Sequence, residues 1–109
     1  MSALNTKQIS LHLKIVPHWT KRAQTIRRTF KFEGFPMSIT FVVRIAKCAQ
    51  KINHHPYIDI DFDKVTLTLT THDEGGLTEK DFTLARQCDD VFTQCLTSEE
   101  HKTPTQSKL

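Results

Sequence analysis

The stretch KINHHPYIDIDFDKV, residues 51–65, changes the period of the chain in mid-run. Upstream, between Pro36 and about Lys51, Phe41, Ile45, Cys48 and Ile52 recur at steps of three and four, with Val42, Ala46 and Ala49 widening the stripe. That spacing lines side chains along one face of an α-helix. Downstream, Ile58, Ile60 and Phe62 alternate with Asp59, Asp61 and Asp63, and then Val65, Leu67 and Leu69 alternate with Thr66, Thr68 and Thr70. A period of two belongs to strands with one buried face, so the pattern predicts two adjacent strands with a turn near Asp63 and Lys64. Any fold of this chain must therefore set a sheet against helices, with Pro56 at one of the joints.

The remaining segments fit that requirement. From Thr25 to Phe32, Ile26, Phe30 and Phe32 share one face and Arg27, Thr29 and Lys31 the other, with Arg28 as the misfit. Gly34 turns the chain, and Pro36 suits a first helical position, where the missing N–H has no partner to lose. Residues 7–16 are two-sided: Ile9, Leu11, Leu13 and Ile15 alternate as a strand would, while Ile9, Leu13 and Val16 also fit a helical face. Pro17 ends the segment either way. In THDEGGLTEKD the alternation breaks at Gly75-Gly76, and Thr78 with Asp81 has the spacing of a capping box opening a helix. Phe82, Ala85, Cys88, Phe92 and Cys95 form its apolar face, and Arg86, Gln87 and Asp90 are left for solvent. Strands with intervening helices, and no long crossover between the two later strands, define an α+β class: an antiparallel sheet with helices on one face.

With 109 residues the chain holds one domain, placed at residues 1–96. TSEEHKTPTQSKL, residues 97–109, has almost nothing to bury and reads as a disordered tail. The net charge of +3 and the single basic run KRAQTIRRTFKF fall short of a nucleic-acid-binding stripe, so nucleic acid is not an expected partner. Cys48, Cys88 and Cys95 are odd in number and form no C-x-x-C pair, which fits reduced, buried thiols in a cytoplasmic protein rather than a disulfide framework or a zinc site. No run approaches the roughly 18 apolar residues of a membrane span, and the N-terminus has no signal-peptide pattern.

His54 and His55 join a helix end to a strand start, and His72 follows the strand that ends at Leu69. In a hairpin of the two later strands, the open end brings His72 beside the doublet. Three imidazoles at one sheet edge suit general acid–base chemistry near neutral pH. Spacing alone leaves surface histidines in loops equally open. A metal site is not expected, because neighbouring residues of an extended chain point apart. His12, His18 and His101 have no clustered partners and read as solvated. Helix capping suffices to explain Asp81, and Thr70, Thr71 and Asp73 flank His72 as polar groups for a ligand or as exposed strand-end residues.

NHHPY at 53–57, Phe62, and TTHDEGGLTEKD with His72 and Asp81 together resemble the signature of the pterin-4a-carbinolamine dehydratases. The likeness extends upstream through His18-Trp19, FKF at 30–32 and AQKINHHP, covering residues 8 to 96. The resemblance implies a four-stranded antiparallel sheet with three helices packed on one face, in the order helix, strand, strand, helix, strand, strand, helix, and so a helix at 7–16. It implies dehydration of 4a-hydroxytetrahydrobiopterin to the quinonoid dihydropterin, with no cofactor and no metal. His54, His55 and His72 would carry the proton transfers. Those histidines with Pro56, Thr71, Asp73 and Glu74 would bind the pterin, and Gln50 and Asp81 would support the site. Relatives of this kind form homodimers or homotetramers.

Two positions depart from the family pattern. Gln50 stands where an ionisable residue, often Glu, precedes the first histidine by four, and Ile58 stands near a frequent aromatic. In a continuous helix residues 50 and 54 share a face, so Gln50 is expected to orient His54 without supplying a negative charge. This departure supports an alternative reading as a non-catalytic interaction module, because members of the family also serve as a dimerisation cofactor for a transcription factor and as Rubisco assembly factors.

Overall fold

The computed structural model describes residues 2–106, with side chains through Leu96. The elements run α1 (Thr6–Leu13), β1 (Thr20–Arg22), β2 (Thr25–Lys31), α2 (Phe35–Ile52), β3 (Tyr57–Asp61), β4 (Lys64–Leu69), a 3₁₀ turn (His72–Glu74) and α3 (Glu79–Gln106). Three helices pack on one face of a four-stranded antiparallel sheet ordered β1-β2-β4-β3. Residues 7–13 are thus helical where alternation pointed to a strand, and residues 14–16 turn the chain instead of continuing the helix. Asn5 decides it locally: its side chain accepts from the Gln8 N–H while the Gln8 side chain accepts from the Asn5 N–H, closing a reciprocal cap.

The core lies between the inner sheet face and the helices. Ile26, Phe30, Val65, Leu67 and Leu69 point inward from β2 and β4, meeting Phe41, Ile45 and Ala49 of α2 and Phe82, Leu84, Ala85 and Cys88 of α3. Phe30, Phe41 and Phe92 form an aromatic cluster, with ring centroids 4.8 Å apart for Phe30 and Phe41 and 5.1 Å for Phe30 and Phe92. Arg28, the misfit of its strand, points inward and is paired there. Its guanidinium donates to Asp89 Oδ1 at 2.7 Å and lies over the rings of Phe30 and Phe92. Trp19 Nε1 donates to the same oxygen at 2.8 Å. A charge beneath a helix is tolerated when it is both paired and stacked.

Several boundaries differ from the periodic reading. The hairpin turn is Phe62-Asp63, since Asp61 pairs with Lys64. Phe62 adopts φ +53°, a conformation rare for a bulky side chain, and its ring stacks on Phe35 with centroids 6.5 Å apart. β3 is an edge strand beyond full helix cover, so Ile58 and Ile60, expected to be buried, are each 38% exposed. Cys88 and Cys95 are buried and Cys48 is half-buried, all as free thiols. Burial, with Asp89 nearby, pushes the Cys88 thiol far above its usual range. The last helix continues past Leu96 to Gln106, and the side chains of 97–109 and the backbone of 107–109 lie outside the described residues. No helix among the described residues is long and apolar enough to cross a membrane.

Candidate active site

The site is set by how α2 ends. Asn53 takes a left-handed conformation, φ +52° and ψ +47°, which asparagine tolerates better than most residues. Its N–H reaches back to Ala49 O and Gln50 O, and the His54 N–H bonds Ala49 O at 3.0 Å. This C-terminal cap reverses the chain and fixes the backbone at His54. Neighbouring side chains then diverge: His54 enters the interior and His55 stays outside.

His54, 9% exposed, places Nε2 2.6 Å from Oδ1 of the fully buried Asp81. The other carboxylate oxygen, Oδ2, accepts from Thr71 Oγ1 at 2.8 Å and from the Thr78 N–H at 2.9 Å. An ionised carboxylate only accepts, so the His54 proton on this side sits on Nε2 and the Thr71 hydroxyl hydrogen points at Asp81. Thr78 Oγ1, 2.9 Å from Thr71 Oγ1, must then donate to it, and itself accepts from the Lys80 N–H at 3.3 Å. The capping expected of Thr78 and Asp81 is therefore present on the Asp81 side. The Thr78 hydroxyl, however, takes the N–H of residue 80 instead of residue 81. Asp81 both caps α3 and holds His54, a dual role that sequence spacing showed only in its first half.

His55 lies outside, and its Nε2 is 3.1 Å from Gln50 Oε1. This corrects the expectation that Gln50 orients His54. The helical face shared by residues 50 and 54 ends at the left-handed Asn53, and the turn hands Gln50 to the next residue. His55, Pro56, Tyr57, Thr68, Thr70 and His72 line a cavity of about 240 Å³. Tyr57 and His72 meet edge to face with ring centroids 6.3 Å apart. His72 is carried by the 3₁₀ turn after β4, which closes on Gly75 at φ +75° and a bridge between Thr71 and Gly76.

Of the residues expected in the site, His55, His72 and Pro56 face this cavity. His54, Thr71 and Asp81 form a separate hydrogen-bonded network, buried at His54 and Asp81, while Asp73 and Glu74 are exposed on the turn that carries His72. Tyr57 and Thr68, not singled out beforehand, join the lining because they pair across β3 and β4 and so share the outer sheet face. Hairpin register could have found them. Among the described residues no group of three or more His, Cys, Asp and Glu could hold a metal ion. His18 is exposed as expected. His12 is instead half-buried, its ring 5.0 Å from that of Phe82 and its Nδ1 2.8 Å from Gln8 O. His101 lies among the residues whose side chains are not described.

The family model described as pterin 4 alpha carbinolamine dehydratase matches residues 2–91. The chain belongs to this family. A Roseiflexus sp. (strain RS-1) protein named "Putative pterin-4-alpha-carbinolamine dehydratase" is 49% identical over 89 residues, covering 82% of this chain and 96% of the relative. A Nocardia farcinica protein of the same name is 46% identical over 88 residues, covering 81% and 93%. Among solved structures, the Brucella melitensis protein described as a transcriptional coactivator/pterin dehydratase superposes with a TM-score of 0.80 at 32% identity, over 83% of this chain and 98% of that one. A pterin dehydratase-like protein described as a RuBisCO assembly factor in the alpha-carboxysome shares the fold, with a TM-score of 0.59 at 19% identity over 68% and 88% of the two chains.

Proposed function

We propose that the chain is a hydro-lyase that dehydrates 4a-hydroxytetrahydropterin, in the form of 4a-hydroxytetrahydrobiopterin, to the quinonoid dihydropterin during tetrahydrobiopterin recycling in the cytoplasm. The observation carrying this reading is the cavity faced by two imidazoles from different elements, His55 from the joint after α2 and His72 from the turn after β4. The reaction breaks the C4a–O bond and the N5–H bond. One group delivers a proton to the hydroxyl, which leaves as water, and another takes the N5 proton as the C4a=N5 double bond forms. No cofactor or metal is consumed or required. Positioned acid–base groups contribute about 10² to 10⁴ in rate.

In this reading His55 and His72 exchange the protons. Because Gln50 Oε1 accepts at Nε2, the neutral His55 ring presents Nδ1 as its free acceptor. His54, with Nε2 committed to Asp81, positions the wall behind them and offers the substrate at most Nδ1. Pro56 contributes a rigid wall, Thr71 ties the 3₁₀ turn to Asp81, and Asp73 and Glu74 stand beside His72 to meet the polar edge of the pterin. A homodimer or homotetramer fits the edge strand β3, whose half-exposed Ile58 and Ile60 and free backbone edge invite a second copy.

A second reading, a non-catalytic interaction module, is favoured by Gln50 in place of a carboxylate and by the coactivator part of the Brucella protein's description. The experiment is an assay of water loss from synthetic 4a-hydroxytetrahydropterin by the full chain without added metal. Acceleration over the uncatalysed reaction is expected. A folded protein inert at every pH would overturn the enzyme reading and leave the interaction module.

A further inference from the structure

The three imidazoles near the cavity are held by different kinds of group. His54 spends Nε2 on the Asp81 carboxylate, and His55 has Nε2 against the Gln50 amide oxygen. Neither ring nitrogen of His72 makes a hydrogen bond or an ion pair among the described residues. Its one ring contact among them is with Tyr57, edge to face, with centroids 6.3 Å apart and the planes at 87°.

The backbone that carries His72 is fixed on both sides. Two residues earlier, the Thr70 hydroxyl donates to Gln24 O at 2.6 Å, which ties the chain after β4 to the turn between β1 and β2. On the other side, the Gly75 N–H donates to His72 O at 3.0 Å and the Glu74 N–H to Thr71 O at 3.1 Å. A fixed backbone still leaves an exposed imidazole free to turn about its own side-chain bonds. Tyr57 is brought to it by register. It opposes Thr68 across β3 and β4, both line the histidine cavity, and Thr68, Thr70 and His72 follow one another at steps of two.

We infer that Tyr57 is a positioning residue for His72, its aromatic ring fixing the imidazole by an edge-to-face contact that leaves both ring nitrogens without a protein hydrogen-bond partner. A hydrogen bond would hold the ring more firmly but would occupy one of the two nitrogens that can take or give a proton. An aromatic contact orients through the quadrupole of the ring and takes up no lone pair. Tyr57 is 66% exposed, so the core does not need its ring. A β-branched residue would suit the edge strand as well and would give His72 nothing to align against. The inference rests on the pterin reading for the work that His72 does, and on the geometry alone for how its ring is held.

The test compares two variants of the full-length chain: Tyr57→Val, which keeps a strand-forming residue and removes the ring, and Tyr57→Phe, which keeps the ring and removes the hydroxyl. With synthetic 4a-hydroxytetrahydropterin, Tyr57→Val is expected to lose about two- to tenfold in kcat, the span of an aromatic pair's own preference, with KM moving by less than about twofold. Tyr57→Phe should rescue kcat to within about twofold of the natural chain. By NMR, cross-relaxation between the rings of residues 57 and 72 should be present in the natural chain and in Tyr57→Phe, and the His72 ring resonances should move in Tyr57→Val alone. A raised KM with kcat unchanged would make Tyr57 a wall for the substrate and overturn the assignment. Equal losses in both variants would pass the role to the phenol hydroxyl and overturn it too. If the natural chain turns over no pterin, the pterin reading falls and the spectrum decides this one: rings without contact, or His72 resonances indifferent to Tyr57→Val, overturn it.

Discussion

His54 and His55 are adjacent in the chain and opposite in physical situation. His54 sits in a closed network in which Asp81 accepts from a ring nitrogen, a hydroxyl and a backbone N–H. His55 lines an open cavity together with His72, tethered by one amide oxygen. The buried half has the carboxylate of Asp81 satisfied wholly by the protein, so it holds shape. The open half keeps nitrogen lone pairs and protons for something else. Preorganised chemistry needs both, a fixed frame and groups left free by it.

The sharpest way to break this comparison is to remove groups from each half. His55→Ala and His72→Ala are expected to lower turnover of the pterin by about 10² to 10⁴ while changing stability by less than about 0.5 kcal/mol, as surface substitutions do. Asp81→Ala leaves His54, Thr71 and the Thr78 N–H without their acceptor and should cost about 3 kcal/mol in urea denaturation, beyond any effect on rate. If Asp81→Ala melts like the natural chain, the frame lies elsewhere; if all three variants lose stability alike, the division between frame and working groups fails.

A smaller effect is expected at Gln50. A carboxylate beside an imidazole favours the imidazolium, and a one-unit change in its midpoint corresponds to about 1.4 kcal/mol between the two forms. Gln50→Glu should therefore hold the His55 ring protonated to higher pH and leave His54 unmoved, as read by NMR titration of each ring. The acid-dependent limb of the pH–rate profile should shift with it. A response at His54 rather than His55 would contradict the geometry after Asn53.

The smallest effect tests the far end of the hairpin, opposite the histidines. Lys31 donates to Asp63 Oδ2 at 2.8 Å and holds that carboxyl below its ordinary value of 3.8. A carboxyl whose folded value is depressed stabilises the fold at every pH above the ordinary value, and the contribution is lost as pH falls through the folded one. Asp63→Asn should accordingly lower the melting temperature slightly at neutral pH and not at all in strong acid. Equal losses at both pH values would mean that the backbone of the turn, not the ion pair, is responsible.

Much of the fold was legible because burial imposes periods. The stripe of Phe41 and Ile45 on α2 and the alternation of Val65, Leu67 and Leu69 on β4 point where the pattern says. Alternation misled at residues 7–13, where a local cap outweighs it, and at Ile58 and Ile60, where an edge position leaves an apolar face half covered. Arg28 looked like an error in its strand because its compensation, Asp89 and two phenylalanine rings, lies far along the chain.

From sequence alone came the types of the later elements, the adjacency of the two later strands and the expectation that His54, His55 and His72 meet at the open end of their hairpin, of which His55 and His72 line one cavity. These follow from period and chain connectivity, which are local properties. Which histidine lines the cavity and which is held inside was a tertiary decision. The left-handed Asn53 turns His54 inward, and the carboxylate that meets it arrives on α3 after the whole hairpin has been traversed. No spacing rule encodes a contact between residues 54 and 81, since the burial that makes an unpaired carboxylate costly, and so demands that partner, exists only once the helices have closed on the sheet.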